Sequence, residues 1–200
     1  HNNAVKSIFT QIIASFRDQL QLEKPISVSY LGPRGTYSEE AAVKLFGSTV
    51  SLHPEDSISS VVRAVEAGTS ELAVIPIENS TEGAVRETHR LLFNTNSRIV
   101  SEITLPVVHC LLSKETDLSD IKLVYAHPQA LGQCKTWLAT HLPNAKQVPS
   151  SSNSAAAELA SKESSNAAIA SKNAAEIYGL NTVEVGINDQ PGNKTRFITL

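Results

Sequence analysis

Residues 27–46 read SVSYLGPRGTYSEEAAVKLF, and the change of rhythm at their two glycines decides the fold. Ser27 to Leu31 reads as a strand and Ser38 to Phe46 as a helix. Between them, Gly32-Pro33-Arg34-Gly35-Thr36-Tyr37-Ser38 turns the chain from one into the other. A turn of this kind presents backbone N–H groups at the positive end of a helix dipole, which suits an anionic ligand. Gly32 and Gly35 let the backbone turn and approach a ligand, while Thr36 and Ser38 add hydroxyls. Glycine-rich turns also arise for steric reasons alone, so the reading depends on whether the rest of the chain repeats it.

Upstream, Val5, Ile8, Phe9, Ile12, Ile13 and Phe16 recur at helical spacing, an amphipathic helix that Pro25 stops. Downstream come a strand at Thr49 to Leu52, a helix from an Asp56/Ser57 cap to Ala67 closed by Gly68, and a buried-type strand at Leu72 to Ile75. This is the alternation of an α/β layer with parallel strands. A helix over about Gly83 to Phe93 follows the polar turn Glu78 to Glu82. Two extended runs, Ile99 to Leu105 and Val107 to Leu112, then meet at Pro106. The alternation restarts with strand Leu123 to Tyr125, helix Gln129 to Thr140, strand Gln147 to Pro149, helix Ser154 to Ser161, strand Ala167 to Ala170 and helix Lys172 to Tyr178.

Tyr30 to Phe46 corresponds to Tyr125 to Leu138, and Glu71 to Ile75 to Asn166 to Ala170, so the second half echoes the first. The expected architecture is two similar α/β lobes with a hinged cleft: lobe one about 26–104 and 187–200, lobe two about 107–185. The last strand, Thr195 to Leu200, should return to the first lobe. Three helix starts would point into the cleft, at Thr36/Ser38, His127-Pro128-Gln129 and Ser152-Asn153-Ser154, and their convergence suits a ligand with two carboxylates.

Composition narrows the partners. The net charge of −3 and the absence of any Lys/Arg run argue against nucleic acid or a membrane surface, so an anion site must be local. Cys110 and Cys134 are too few for a disulfide framework and read as reduced core thiols. No apolar run could span a bilayer and no signal peptide opens the chain, so the cytoplasm is the expected compartment. Of the six His only His127 lies in a motif, and no pair has metal-ligand spacing, so no metal is expected. Trp137 and Cys134 read as core.

Four ordered motifs carry a family resemblance. Gly32-Pro33-x-Gly35-Thr36-Tyr37-Ser38, Pro76-Ile77-Glu78-Asn79-Ser80-x-x-Gly83, His127-Pro128-Gln129-Ala130-Leu131-x-Gln133-Cys134 and Asn193-x-Thr195-Arg196-Phe197 resemble the successive motifs of prephenate dehydratases. The match runs from about Pro25 to Leu200. It implies a two-lobed fold similar to type 2 periplasmic binding proteins, with the active site between the lobes. It also implies a lyase reaction without a cofactor, in which prephenate loses carbon dioxide and its ring hydroxyl to give phenylpyruvate in phenylalanine biosynthesis.

By the same resemblance Thr195 is the proton donor to the leaving hydroxyl, helped by Asn79, Glu78 and Gln129. Thr36, Tyr37, Ser38, Ser80, His127, Asn153, Ser154, Arg196 and Phe197 would contact substrate. Strand alternation pulls against part of this list: Arg196 and Lys194 should point away from the face of Thr195, which favours a structural ion pair for Arg196. Arg34 suits either substrate or solvent. Many members have Ser where this chain has Ala126, and Ser-Thr where it has Ser152-Asn153, which puts affinity in question more than reaction. Members usually continue into an ACT domain that binds phenylalanine; its absence here would make the fragment insensitive to feedback. Ser7-Ile8-Phe9-x-x-Ile12-Ile13 looks like the last helix of a chorismate mutase domain, so residues 1–24 read as the end of such a domain or a linker. No mutase activity is expected from it, and its apolar stripe should dock on a dehydratase lobe or a partner chain, with a homodimer expected. The alternatives are arogenate dehydration and a non-enzymatic small-anion binding module of the same fold.

Overall fold

The computed structural model describes residues 25–200, in which the chain builds two α/β sheets. The first contains β1 (Ser27–Leu31), β2 (Ser51–Glu55), β3 (Leu72–Asn79), β5 (Ser101–Pro106) and β11 (Lys194–Thr199) in the order β2-β1-β3-β11-β5, with the short β4 (Gly83–Ala84) folded back on β3. The second contains β6 (Cys110–Ser113), β7 (Leu123–Ala126), β8 (Lys146–Pro149), β9 (Asn166–Ala170) and β10 (Asn181–Val185) in the order β10-β6-β9-β7-β8.

The two sheets are wound alike. β2-β1-β3 and β8-β7-β9 are parallel triplets, and each is extended by an antiparallel strand, β11 on β3 and β6 on β9. A fifth strand, β5 or β10, is antiparallel to that one. The echo between the halves of the sequence is therefore an echo of topology. The chain leaves the first sheet through residues 107–109 and returns through 186–193, and the final strand inserts between β3 and β5.

Seven helices cover these sheets among the described residues: α1 (Tyr37–Phe46), α2 (Ile58–Glu66), α3 (Arg86–Leu92), α4 (Pro128–Gln133), α5 (Lys135–His141), α6 (Asn153–Ala160) and α7 (Lys172–Tyr178). Strand alternation divides the first lobe's core. Val28, Tyr30, Val74 and Phe197 face α1, with Ala41 and Ala42, while Ala73, Ile75, Ile77 and Ile198 face α2, with Val61 and Val62. In the second lobe small side chains do the same work: Ala156, Ala157 and Ala160 of α6 meet Ala168 and Ala170 of β9, which brings helix and sheet backbones close.

Three elements differ from the sequence reading. Gly83 has φ 80 and belongs to β4, so the helix expected from it starts only at Arg86. The single helix expected over Gln129 to Thr140 breaks at Cys134, whose ψ of 15° leaves the helical range, and Asp189 of the returning segment caps the new start. Its carboxylate accepts from the N–H groups of Thr136 (2.8 Å) and Trp137 (3.0 Å). β10 is an addition, a short, largely exposed strand fixed by its ladder to β6. The amphipathic helix of residues 5–16 and the mutase-like motif lie outside the described residues.

The two crossings are bonded to each other. Val107 N–H donates to the Asn193 carbonyl (2.8 Å), His109 N–H to Asn188 Oδ1 (2.8 Å), and Gly186 and Ile187 N–H both to the His109 carbonyl (3.0 Å each). The lobes are thus joined by a double strap rather than by one strand, directly beneath the cleft.

Candidate active site

Parallel strands and the helices after them put their helix starts on one edge of a sheet. Here both edges face each other across a cavity of about 250 Å³, the size of site that takes one small molecule. Four helices begin at its wall. α1 is capped by Thr36, α4 by His127, α6 by Ser152 and α7 by Ser171, each side chain accepting from an N–H of its own first turn. Among the described residues the wall contains no Asp, Glu, Lys or Arg side chain. Any anion in it would be held by helix starts, hydroxyls, amides and imidazoles alone.

Thr195 and Asn79 face each other in register on the antiparallel pair β11 and β3. Asn79 Nδ2 donates to Thr195 Oγ1 at 2.8 Å. The orientation of that amide is fixed from behind, because Asn79 Oδ1 accepts from the N–H groups of Thr81 (2.9 Å) and Glu82 (3.1 Å). With its oxygen occupied by two donors, the amide must present its NH₂ to the threonine. Thr195 is 9% exposed and lines the cavity, so its own proton is free to point at whatever the cavity holds.

The same register explains which expected residues lie elsewhere. Arg196 pairs with Glu78, one step along, on the opposite face of the sheet. Its guanidinium lies 3.7 Å from Glu78 and 3.8 Å from Glu102, away from the cavity. Phe197 is buried in the core against Val74 and Ala41. Ser38 is buried in α1. Ser80 sits behind the wall, where its hydroxyl donates to Asn193 Oδ1 (3.3 Å) and accepts from Lys194 N–H (2.9 Å). Glu78, Arg196, Phe197, Ser38 and Ser80 therefore do not line the cavity, whereas Thr36, Tyr37, Asn79, His127, Gln129, Asn153, Ser154 and Thr195 do. Ala126 is fully buried in the second lobe's core and is not among the wall residues.

Some of these side chains are engaged with the protein. Asn153 Oδ1 accepts from His127 N–H at 2.9 Å, tying the starts of α4 and α6 together. Tyr37 O–H donates to the Val108 carbonyl at 2.7 Å, and burial, with Cys110 and Glu40 nearby, raises its pKa and keeps it neutral. His127 Nδ1 accepts from Gln129 N–H at 3.3 Å as the cap of α4, and Gln129 and His127 line the same cavity as Thr195.

Of the wall's polar residues, His109, Ser151 and Ser171 had no place in the sequence reading, and Gln133 and Asn193 stood there only inside motifs, with no role given them. His109 is almost fully buried at the first crossing, its Nε2 2.8 Å from Gln133 Oε1, and burial holds its pKa below the ordinary 6.5. Gln133 Nε2 makes a long 3.5 Å contact to Glu82 of the other lobe. Gln133 and Asn193 fall inside motifs quoted for the family resemblance and could have been taken from them; His109 and Ser171 carry no local signal.

A family model described as prephenate dehydratase matches residues 28–200. The bifunctional chorismate mutase/prephenate dehydratase of Stutzerimonas stutzeri is 42% identical over 200 residues, the whole of this chain and 54% of that protein. A chloroplastic arogenate dehydratase/prephenate dehydratase of Arabidopsis thaliana is 36% identical over 216 residues, covering 100% of this chain and 56% of its own. Among solved structures, prephenate dehydratase from Arthrobacter aurescens in complex with L-Phe aligns with a TM-score of 0.79 and 34% identity, over 87% of this chain and 59% of that one. The chain spans about half the length of the curated relatives it matches.

Proposed function

The chain belongs to the prephenate dehydratase family, and on that premise we propose that it converts prephenate to phenylpyruvate, with Thr195 as the proton donor. The observation that carries this reading is the fixed Asn79 amide, which donates to Thr195 Oγ1 and leaves the threonine proton for the ligand.

The chemistry asks for little else. The bond to the ring carboxylate breaks and its electron pair enters the ring, while the C–O bond at the opposite carbon breaks and its pair leaves with the hydroxyl. Carbon dioxide, water and an aromatic ring result. The proton that turns hydroxide into water comes from Thr195 and is restored from solvent. Threonine is a weak acid, and the Asn79 N–H is placed to stabilise charge developing on its oxygen. A positioned donor is worth roughly 10²- to 10⁴-fold, and aromatisation supplies the driving force.

The uncharged wall bears on the choice of substrate. Prephenate carries two carboxylates and no cation, and the helix starts of α1, α4, α6 and α7 suit it. Arogenate, the substrate that the Arabidopsis arogenate dehydratase/prephenate dehydratase is named for beside prephenate, adds an ammonium group that finds no carboxylate among the described wall residues. A binding module without chemistry would leave the Thr195–Asn79 pair without a role.

The finer assignments follow from the same reading. The enzyme is a carbon–oxygen lyase of phenylalanine biosynthesis, acting in the cytoplasm as a homodimer, a compartment consistent with two buried free thiols at Cys110 and Cys134. No helix among the described residues is long and apolar enough to cross a membrane. Residues 1–24 are assigned to the end of a chorismate mutase domain, a reading supported by the Stutzerimonas relative's name and by its match across the whole chain. The test is phenylpyruvate formation from prephenate by the purified chain at mildly alkaline pH, with arogenate in parallel. Turnover of prephenate with little of arogenate supports the proposal; preference for arogenate, or binding without turnover, overturns it.

A further inference from the structure

The Gly32–Ser38 turn makes its contact with the second lobe through its carbonyls. Two of its N–H groups are engaged within the first lobe: Gly32 donates to the Glu55 carbonyl (2.8 Å) and Gly35 to Glu39 Oε2 (2.5 Å). Its carbonyls reach the other way. Ser171 Oγ of the second lobe donates to the Gly35 carbonyl at 3.0 Å, and Ser154 Oγ donates to the Arg34 carbonyl. Tyr178 O–H, 3.1 Å from Ser154 Oγ, lies 3.5 Å from the same Arg34 carbonyl. The approach is close enough to require glycine: a Cβ on Gly35, whose φ is 82, would stand 2.9 Å from Ser154 Oγ and 3.3 Å from Ala174.

The next two residues after those carbonyls, Thr36 and Tyr37, line the cavity. Where the turn docks therefore sets where the first lobe's half of the site stands relative to the second's. We propose that Ser154, Ser171 and Tyr178 are positioning residues that latch the two lobes through the Arg34 and Gly35 carbonyls, so that in the ligand-free protein the latch holds the cavity assembled. The kinetic part of its test rests on the dehydratase reading; the structural part does not.

The latch can be separated from helix capping. Ser171 also caps α7, accepting from Ala174 N–H at 3.3 Å. Ser171→Gly keeps most of the cap, removes the proton given to the Gly35 carbonyl and adds no charge to the cavity wall. Tyr178→Phe removes the second hydroxyl without touching a cap. The experiment places spin labels at Lys44→Cys in α1 and Lys162→Cys beyond α6, both exposed, and measures the interlobe distance distribution of the full chain. Prephenate kinetics are measured on the same proteins without labels.

The double variant is expected to shift the distribution to longer distances and to raise KM about tenfold, the factor set by losing one to two neutral hydrogen bonds, with kcat within twofold. Saturating substrate recloses the cleft, which is why kcat survives. An unchanged distance distribution overturns the latch, as does a fall in kcat at constant KM, which would put these hydroxyls in the chemistry. Should Ser171→Gly not fold, Tyr178→Phe alone decides by the same distances. A chain inactive on prephenate is still tested by the distances, so failure of the latch and failure of the dehydratase reading give different results.

Discussion

Replacing Asn79 with Asp changes one atom's chemistry and almost nothing of its shape. In the native protein Asn79 Oδ1 accepts from Thr81 and Glu82 N–H at 2.9 and 3.1 Å, and Nδ2 donates to Thr195 Oγ1 at 2.8 Å. A carboxylate keeps both turn contacts, and strengthens them by its charge. At 2.8 Å from Thr195, however, its second oxygen has no proton to give. The bridge can then form only with the threonine's own proton, which is withdrawn from the substrate. The expected loss in kcat is the whole contribution of a positioned acid, roughly 10²- to 10⁴-fold, or about 3 to 5 kcal/mol of transition-state stabilisation. KM should also rise, because an anion now borders a site built for a dianion. Folding stability should stay within about 1 kcal/mol of the native protein. Single-turnover formation of phenylpyruvate, beside urea unfolding of the same preparation, separates the two effects. Retention of more than a tenth of the native rate would refute the proton assignment, and a loss of rate that merely tracks a loss of stability would refute the claim that the turn is preserved.

Arg196→Ala should leave KM for prephenate unchanged and cost less than about 1 kcal/mol, since its ion pairs with Glu78 and Glu102 are long and half exposed on the far face of the sheet; a large rise in KM would return Arg196 to the site. His109 gives a pH signature. Its folded pKa lies below the unfolded 6.5, so the stability it confers is complete above about pH 6.5 and is lost as the pH falls through the folded value; the native protein's unfolding midpoint should drop between about pH 7.5 and 5.5 more steeply than that of His109→Asn. Burial, with the Asp189 charge nearby, pushes the Cys134 thiol up to about 12, and burial raises Cys110 as well. Neither should react with iodoacetamide at neutral pH until the protein unfolds, as mass spectrometry of alkylated protein would show.

Much of this architecture was legible because its signals are local. The parallel strands at Ser27 and Leu72, and the repeat at Leu123 and Asn166, follow from apolar runs bounded by caps and glycines, and the lone terminal strand had only the sheets to join. What escaped depends on contacts between distant segments. The break at Cys134 is enforced by Asp189, which arrives from the returning strap, and β10 exists through its pairing with β6. The site divides along the same line. Strand alternation alone sends Arg196 away from Thr195, and the pairing of Thr195 with Asn79 needed a register that no single segment contains. The Gly32–Ser38 turn was visible as a special loop, yet its use of carbonyls rather than N–H groups emerges only when the second lobe stands against it.

The central claim is that the Thr195 hydroxyl supplies the proton, and the most direct measurement is kcat for prephenate with Thr195→Val beside Thr195→Ser. Valine fills the same β-branched space without the oxygen, whereas serine keeps the oxygen opposite Asn79 Nδ2. The account predicts a fall of at least roughly 10²-fold for valine and less than about tenfold for serine, with both proteins folded. Equal turnover by the valine variant and the native protein would contradict it.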